Sequence, residues 1–220
     1  MIQLLIFDFD GTILDTETPW FHAYSKVYED YGFVLTLEEY SQCIGTSIEV
    51  YDPFQNLLNL LNHRVDPSGV RSKILEYQKQ FILGQGIRPG VLSCLQQAKE
   101  MGLHTAIASS SHREWIEHYL NEFQLADYFE IIMSKDVVTK VKPDPELYLK
   151  VLDHFGVPGK NALAFEDSLN GLKAAKQAGI HCVVVPNEVT RFMDFGDHQP
   201  ILQSLEGYTL NELMDMVKSN

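Results

Sequence analysis

Leu4-Leu5-Ile6-Phe7-Asp8-Phe9-Asp10-Gly11-Thr12 sets two carboxylates, two residues apart, directly behind a short apolar run. The run is brief, wholly apolar and stopped by Gly11, which gives it the character of a buried strand. An Asp-Gly pair also suits an ordinary turn. Carboxylates at the end of a buried strand, however, are costly unless a cation, a lysine or hydrogen bonds compensate. The pattern suits an acid nucleophile beside an acid/base group, and the rest of the chain decides between turn and site.

Working outward, four more apolar runs have strand character: residues 105–108, 131–133, 162–165 and 182–185. Helical segments separate these later runs, so the expected fold class is α/β, a Rossmann-like parallel sheet. Gly32, Gly102, Gly156 and Gly179 each precede an apolar residue, the signature of a helix end turning into its next element. Thr36 with Glu39, Ser111 with Glu114 and Thr209 with Glu212 have capping-box spacing, and Asp144-Pro145 reads as a cap followed by proline in the first turn. Between the first run and Arg88-Pro89-Gly90 no comparable strand occurs, and residues 19–31, 50–62 and 68–83 are compatible with helices. That insertion is too long for an ordinary βα loop. The expected division is a core of residues 1–14 and 88–220 and an all-helical cap of residues 15–87, with hinges near 14–18 and 84–89. A helical lobe packed permanently on the sheet is the alternative.

Composition narrows the function classes. Of 220 residues, 45% are hydrophobic and 21% charged, ordinary values for a globular chain with a real core. A formal charge of −13 argues against a nucleic-acid partner, which needs lysine and arginine clusters. No apolar stretch approaches the roughly 20 residues of a membrane span, and the basic region and long apolar core of a signal peptide are missing. Cys43, Cys94 and Cys182 are odd in number, far apart and outside any metal-binding spacing, so they read as small hydrophobes of a reducing compartment. A cytoplasmic monomer is expected, with no membrane partner.

In open parallel sheets, ligands bind beyond the carboxyl ends of the strands. Applied here, the rule gathers Asp8 and Asp10 after the first run, Ser109-Ser110-Ser111 after the second, Lys140 and Lys142 after the third, and Glu166-Asp167-Ser168 after the fourth. Carboxylates with no cysteine or histidine among them suggest a hard divalent cation, Mg²⁺ above all. Hydroxyls and amides at a helix start, with a lysine, suggest a bound anion such as phosphate. Metal, anion and a spare carboxylate together describe a phosphoryl-transfer site. Lys140 reads as a solvated charge, the eight histidines as structural or surface groups, and His112 stands out only because it follows the serines.

These residues make the chain resemble the haloacid dehalogenase superfamily, in its helical-cap branch of β-phosphoglucomutase-like phosphatases. The four motifs are Asp8-Phe9-Asp10-Gly11-Thr12, the strand ending in Ser109, Lys142-Pro143-Asp144-Pro145, and Glu166-Asp167-Ser168 with Gly171. They occur in order from end to end of the chain. The resemblance implies that Asp8 attacks phosphorus to form an aspartyl-phosphate and that Asp10 protonates the leaving oxygen, then activates water. It implies phosphate binding by Thr12, Ser109, the Ser110 amide and Lys142. It implies Mg²⁺ held by Asp8, the Asp10 backbone carbonyl, Asp167 and Glu166. An anionic nucleophile must approach an anionic phosphate, so the cations screen both.

Departures from the branch bear on substrate. Mutases of this kind carry a histidine where Trp20 follows Asp15-Thr16, while His22 falls on another side of the helix. They also carry an arginine or lysine three residues after a cap-loop glycine; if Gly45 is that glycine, Ile48 stands there. Dehalogenases usually lack an acid at the Asp10 position. The expected activity is therefore hydrolysis of a small phosphate monoester, such as a sugar or polyol phosphate, with Trp20, Thr46 and Ile48 of the cap reading the substrate. A phosphosugar mutase and a non-catalytic phosphate-binding domain are the alternatives.

Overall fold

The computed structural model describes residues 1–43, 51–197 and 199–218. The chain forms two compact units: Met1–Leu14, Gly86–Pro186 and Asp194–Asn220 in one, and Asp15–Gln85 with Asn187–Met193 in the other. The first is built on a five-stranded sheet of β1 (Leu4–Phe7), β2 (His104–Ala108), β3 (Ile131–Met133), β4 (Ala162–Glu166) and β5 (His181–Val184). Every pairing is parallel and the order is β3-β2-β1-β4-β5. The five apolar runs are thus the five strands, and the fold is α/β.

The chain leaves β1 toward β2 and β3 on one side, then returns to place β4 and β5 on the other. β1 therefore lies at the topological switch point, where open α/β sheets bind ligands. Register finishes the alignment. Phe7 stands level with Ile107 of β2 and with Phe165 of β4, so Asp8, Ala108 and Glu166 come one step further along. All of β1 and β4 is buried, and the Phe7 and Phe165 rings stack at 4.7 Å. Burial on both faces is why these strands read as continuous apolar runs rather than as alternating ones.

The second unit is helical: α1 (Glu17–Asp30), α2 (Leu37–Ser41), α3 (Pro53–Leu60) and α4 (Pro67–Ile82). Its core contains Ala23, Val27, Tyr28, Tyr40, Leu57 and Ile74, with Tyr28 donating its hydroxyl to the Pro53 carbonyl at 2.7 Å. The Thr36–Glu39 capping box forms, and two Asp-Pro pairs start helices: Asp52 accepts from Phe54 N at 2.8 Å, and Asp66 from Gly69 N at 3.0 Å. Asn187–Met193 completes this unit. Asn187 accepts from the Val189 and Thr190 amides, both at 2.9 Å, and Val189 is buried in the helical core.

Around the sheet stand α5 (Val91–Glu100), α6 (Arg113–Glu122), α7 (Glu146–Phe155), α8 (Leu169–Gln177) and α9 (Leu210–Lys218). Gly32, Gly102, Gly156 and Gly179 all carry positive φ, and Thr209 and Glu212 form their capping box. Asp144 accepts from Glu146 N at 3.0 Å at the start of α7. The Ser111–Glu114 box does not form. His112 is the N-cap of α6, and Asp136 serves that end from outside, accepting from Arg113 N at 2.7 Å and pairing with His112 Nδ1 at 2.7 Å. The Arg113 amide, then the His112 side chain, hold the Asp136 carboxyl down at about 2. The Ser111 hydroxyl turns instead to Asp10. Among the described residues no helix is long and apolar enough to cross a membrane, and the three cysteines are free thiols.

Candidate active site

Gly11 turns the chain immediately after β1. Its φ of 83° is one that side chains resist, and its amide donates to the Leu14 carbonyl at 2.7 Å. Asp8 donates its amide to the Phe165 carbonyl at 3.0 Å, which keeps it in sheet register. Arg88 braces the turn. Its guanidinium donates to the Gly11 carbonyl and to those of Val185 and Pro186, at 2.6 and 2.8 Å for the last two.

Beyond the strand ends, Lys142 Nζ lies 2.5 Å from Asp8 Oδ1 and 2.7 Å from Glu166 Oε1, all three side chains being buried. Tyr148 donates its hydroxyl to the same Glu166 oxygen, and Lys142 sits 5.2 Å from the centre of the Tyr148 ring. Burial pushes the Asp8 carboxyl up to about 8; Lys142 opposes this, while Glu166 and Asp10 add to it. Burial would pull Lys142 down, yet Asp8 and Glu166 together hold it above its ordinary value, so it stays charged. Thr12, buried, donates to Asp8 Oδ2 at 3.3 Å. One cation thus faces two buried carboxylates. Glu166 Oε2 has no hydrogen-bond partner although it is fully buried.

Asp8, Glu166 and Asp167 each offer a carboxylate oxygen, the three lying within 4.8 Å of one another. A hard oxygen set that includes, among the described residues, one orphaned buried acceptor is what a divalent cation such as Mg²⁺ fits. The acidic motif has its own steric logic. Ser168 caps α8 by accepting from Gly171 N at 3.1 Å, which brings the Gly171 α-carbon against the Glu166 carboxylate. A β-carbon at Gly171 would overlap that carboxylate. Gly171→Ala is expected to cost about 1–3 kcal/mol through overpacking, read as a lower urea midpoint. An unchanged midpoint would mean that Glu166 is free to move aside.

Asp10 is gripped from the β2–α6 side. Ser111 Oγ donates to Asp10 Oδ2 at 2.6 Å, Ser109 Oγ to the same oxygen at 3.3 Å, and Trp115 Nε1 to Oδ1 at 2.9 Å. Ser109 is buried and also accepts from Ser111 N at 3.0 Å; Ser110 is exposed on the same loop. Asp8, Asp10, Thr12, Ser109, Lys142, Glu166 and Asp167 therefore lie in hydrogen-bonded or neighbouring positions at one edge of the sheet. Trp20 belongs to the helical unit, half-buried on α1 with its ring 6.4 Å from that of Tyr24. Thr46 and Ile48 lie outside the described residues.

A family model for haloacid dehalogenase-like hydrolases matches residues 5–185. The chain belongs to that family. Among its relatives, YhcW of Bacillus subtilis (strain 168) is 40% identical over 219 residues, 100% of this chain and 99% of that one. The phosphorylated carbohydrates phosphatase of Thermotoga maritima is 33% identical over 81% of this chain and 82% of its own length. The crystal structure of CbbY from Rhodobacter sphaeroides, in complex with phosphate, superposes with a TM-score of 0.69 at 28% identity, covering 94% of this chain and 96% of that one. The superfamily resemblance drawn from the motifs holds, and the protein is a hydrolase of the haloacid dehalogenase type.

Three participants escape the motif reading. Trp115 stands in the first turn of α6, and nothing in the sequence says that its indole meets Asp10. Tyr148 follows Lys142 by six residues, and its aromatic character reads as core until Glu166 is found beside it. Arg88 was legible only as part of a boundary.

Proposed function

We propose that the protein is a magnesium-dependent phosphatase that hydrolyses a small phosphate monoester, of sugar or polyol type, through an aspartyl-phosphate on Asp8. The observation that carries this reading is the buried Asp8 carboxylate held 2.5 Å from Lys142, with Glu166 and Asp167 beside it. A relative that acts on phosphorylated carbohydrates supports the substrate class. Neither the −13 charge nor the acidic cluster suits a larger polyanion.

In this reading an Asp8 oxygen forms the bond to phosphorus while the bond from phosphorus to the ester oxygen breaks. Asp10 gives its proton to the departing oxygen, which leaves as the alcohol. Asp10, now a carboxylate, takes a proton from the water that attacks the aspartyl-phosphate, releasing inorganic phosphate and restoring Asp8. Lys142 offsets charge on Asp8 and on the phosphoryl oxygens throughout. Ser109, the Ser110 amide and Thr12 orient those oxygens. Asp8, Asp167, Glu166 and the Asp10 carbonyl would hold Mg²⁺, which when bound supplies Lewis-acid stabilisation of the transferring group. The helical unit interrupts the chain directly after the nucleophile strand, and we assign to it, with Trp20, Thr46 and Ile48, the discrimination of the organic part of the substrate.

The test is release of phosphate from a panel of sugar and polyol phosphates, with and without Mg²⁺. EDTA should abolish activity and Mg²⁺ restore it. Ca²⁺ should substitute poorly, because its longer and looser coordination loses the tight octahedral geometry. Asp167→Ala should raise the Mg²⁺ concentration needed for half-maximal rate by about tenfold or more. Metal dependence unchanged in that variant would move the cation elsewhere, and phosphate release unaffected by EDTA would remove it from the reaction.

A further inference from the structure

Different kinds of donor hold the two carboxylate oxygens of Asp10. The Trp115 indole N–H reaches Oδ1 at 2.9 Å, while the Ser111 hydroxyl reaches Oδ2 at 2.6 Å. A carboxylate turns easily about its last torsion, which is broad and roughly two-fold. A donor on one oxygen leaves that rotation open; donors on both oxygens, one from the first turn of α6 and one from the loop before it, close it. We infer that Trp115 is a positioning residue for the hydrolytic reaction, fixing through its indole N–H the plane in which Asp10 presents its other oxygen to the leaving group and to water. This rests on the phosphatase reading given above, in which Asp10 moves the proton.

The donor types say which oxygen does the work. Indole N–H can only donate, so Oδ1 remains an acceptor whichever form Asp10 takes. A serine hydroxyl can donate or accept, so the Ser111 side can serve a bare Oδ2 and equally one that carries a proton. Oδ2 faces two hydroxyls, Ser111 at 2.6 Å and Ser109 at 3.3 Å, both able to turn with their partner, and Oδ1 is the handle. The helix starts one residue later than the Ser111–Glu114 spacing implies, with His112 at its cap, so the Ser111 hydroxyl lies before α6 and meets Asp10, while the helix end is met by Asp136.

The indole is itself fixed by an aromatic stripe. Trp115, Tyr119 and Phe123 recur every fourth residue along α6 and its C-terminal end. Trp115 meets Tyr119 edge-on at 4.8 Å, Tyr119 lies 6.5 Å from Phe9, and Tyr119 stacks with Phe123 at 6.4 Å. Phe9, buried between Asp8 and Asp10 in the chain, ties the stripe to the very loop whose carboxylate it steadies. A supporting residue locked by packing can hold a reacting group within tight angular limits.

The experiment uses the full-length protein with Mg²⁺ and two esters, p-nitrophenyl phosphate and β-glycerophosphate. Trp115→Phe keeps an aromatic ring against Tyr119 while removing the N–H together with part of the indole's bulk. For the alkyl ester, whose leaving group needs the proton, kcat should fall by about tenfold, the loss of one hydrogen bond to a charged group, with KM nearly unchanged. For the aryl ester, whose leaving group is more acidic, the fall should be much smaller. In an Asp10→Ala background, Trp115→Phe should cost nothing further on either ester, because the group it acts through has gone. Ser111→Ala should show the same coupling and serves as the second variant should the indole prove necessary for folding. Equal losses on both esters, full additivity with Asp10→Ala, or wild-type kinetics in Trp115→Phe would overturn the assignment of Trp115 alone. A wild-type protein that releases no phosphate from either ester or from the sugar phosphate panel would overturn the phosphatase reading beneath it.

Discussion

Asp8→Asn is expected to lower turnover by roughly 10⁴-fold or more, as loss of a catalytic nucleophile does, while leaving the fold intact. Asparagine keeps the shape of the side chain and can keep Thr12 as a neighbour. It cannot supply the charged oxygen that forms the bond to phosphorus. The fold should tolerate the change because the substitution withdraws a charge from a buried position, and Lys142 retains Glu166 at 2.7 Å. Phosphate release, thermal melting and a mass spectrum of acid-quenched protein together make the test. The wild-type chain should gain the mass of one phosphoryl group during turnover, and Asp8→Asn should not. Wild-type-like turnover in a folded Asp8→Asn protein would remove covalent catalysis by this residue.

The sheet was legible because its central strands are covered on both faces. Such strands read as unbroken apolar runs, and 4–7 and 162–165 have no other interpretation at that length. The polar residues behind them were legible for a related reason. A parallel sheet delivers every strand end to the same edge, so residues far apart in the chain need no further information to meet there. Asp8, Ser109, Lys142 and Asp167 each sit directly behind a strand or on a loop that follows one. The exception at that edge is Glu166, expected just past its strand and found as the last residue of β4, where its backbone pairs with Val184.

What escaped depended on tertiary neighbours. Ser111 and Glu114 have the spacing of a capping box, and locally nothing contradicts it. The hydroxyl is drawn away by a carboxylate 101 residues distant in sequence, and Trp115 reaches the same carboxylate across 105. The helix starts one residue later than that spacing implies, with His112 at the cap and Asp136 accepting from Arg113 N. Asn187–Met193 escaped similarly. It follows β5 and carries no helical periodicity, and only the burial of Val189 among helical side chains shows which unit it belongs to. The Asp-Pro starts of α3 and α4, by contrast, were present in the sequence in the same form as Asp144-Pro145.

Lys142→Ala should be the most destabilising single change at the site, by about 3–5 kcal/mol, the cost of removing one partner from a buried ion pair. Asp8 and Glu166 both lean on this ammonium, at 2.5 and 2.7 Å, and Glu166 already holds an oxygen without a partner. Without the lysine two buried carboxylates face each other with no cation between them. Part of the loss is a cavity rather than a charge, so Lys142→Met, which restores apolar volume, separates the two. Methionine should recover the packing share and leave the electrostatic share. Mg²⁺ supplies the missing sign of charge, and a ligand that binds only the folded state stabilises it by mass action. Added Mg²⁺ should therefore raise the melting temperature of both variants by more than it raises that of the wild type. Activity should be lost on every ester, and inhibition by inorganic phosphate should weaken with it, because in the proposed reaction the ammonium serves the phosphoryl oxygens whatever alcohol they carry. A Lys142→Met protein as stable as the wild type, and no more responsive to Mg²⁺, would show that the carboxylates neutralise by taking up protons. The cluster would then need no cation for its fold, and the case for Mg²⁺ would rest on the rate measurements alone.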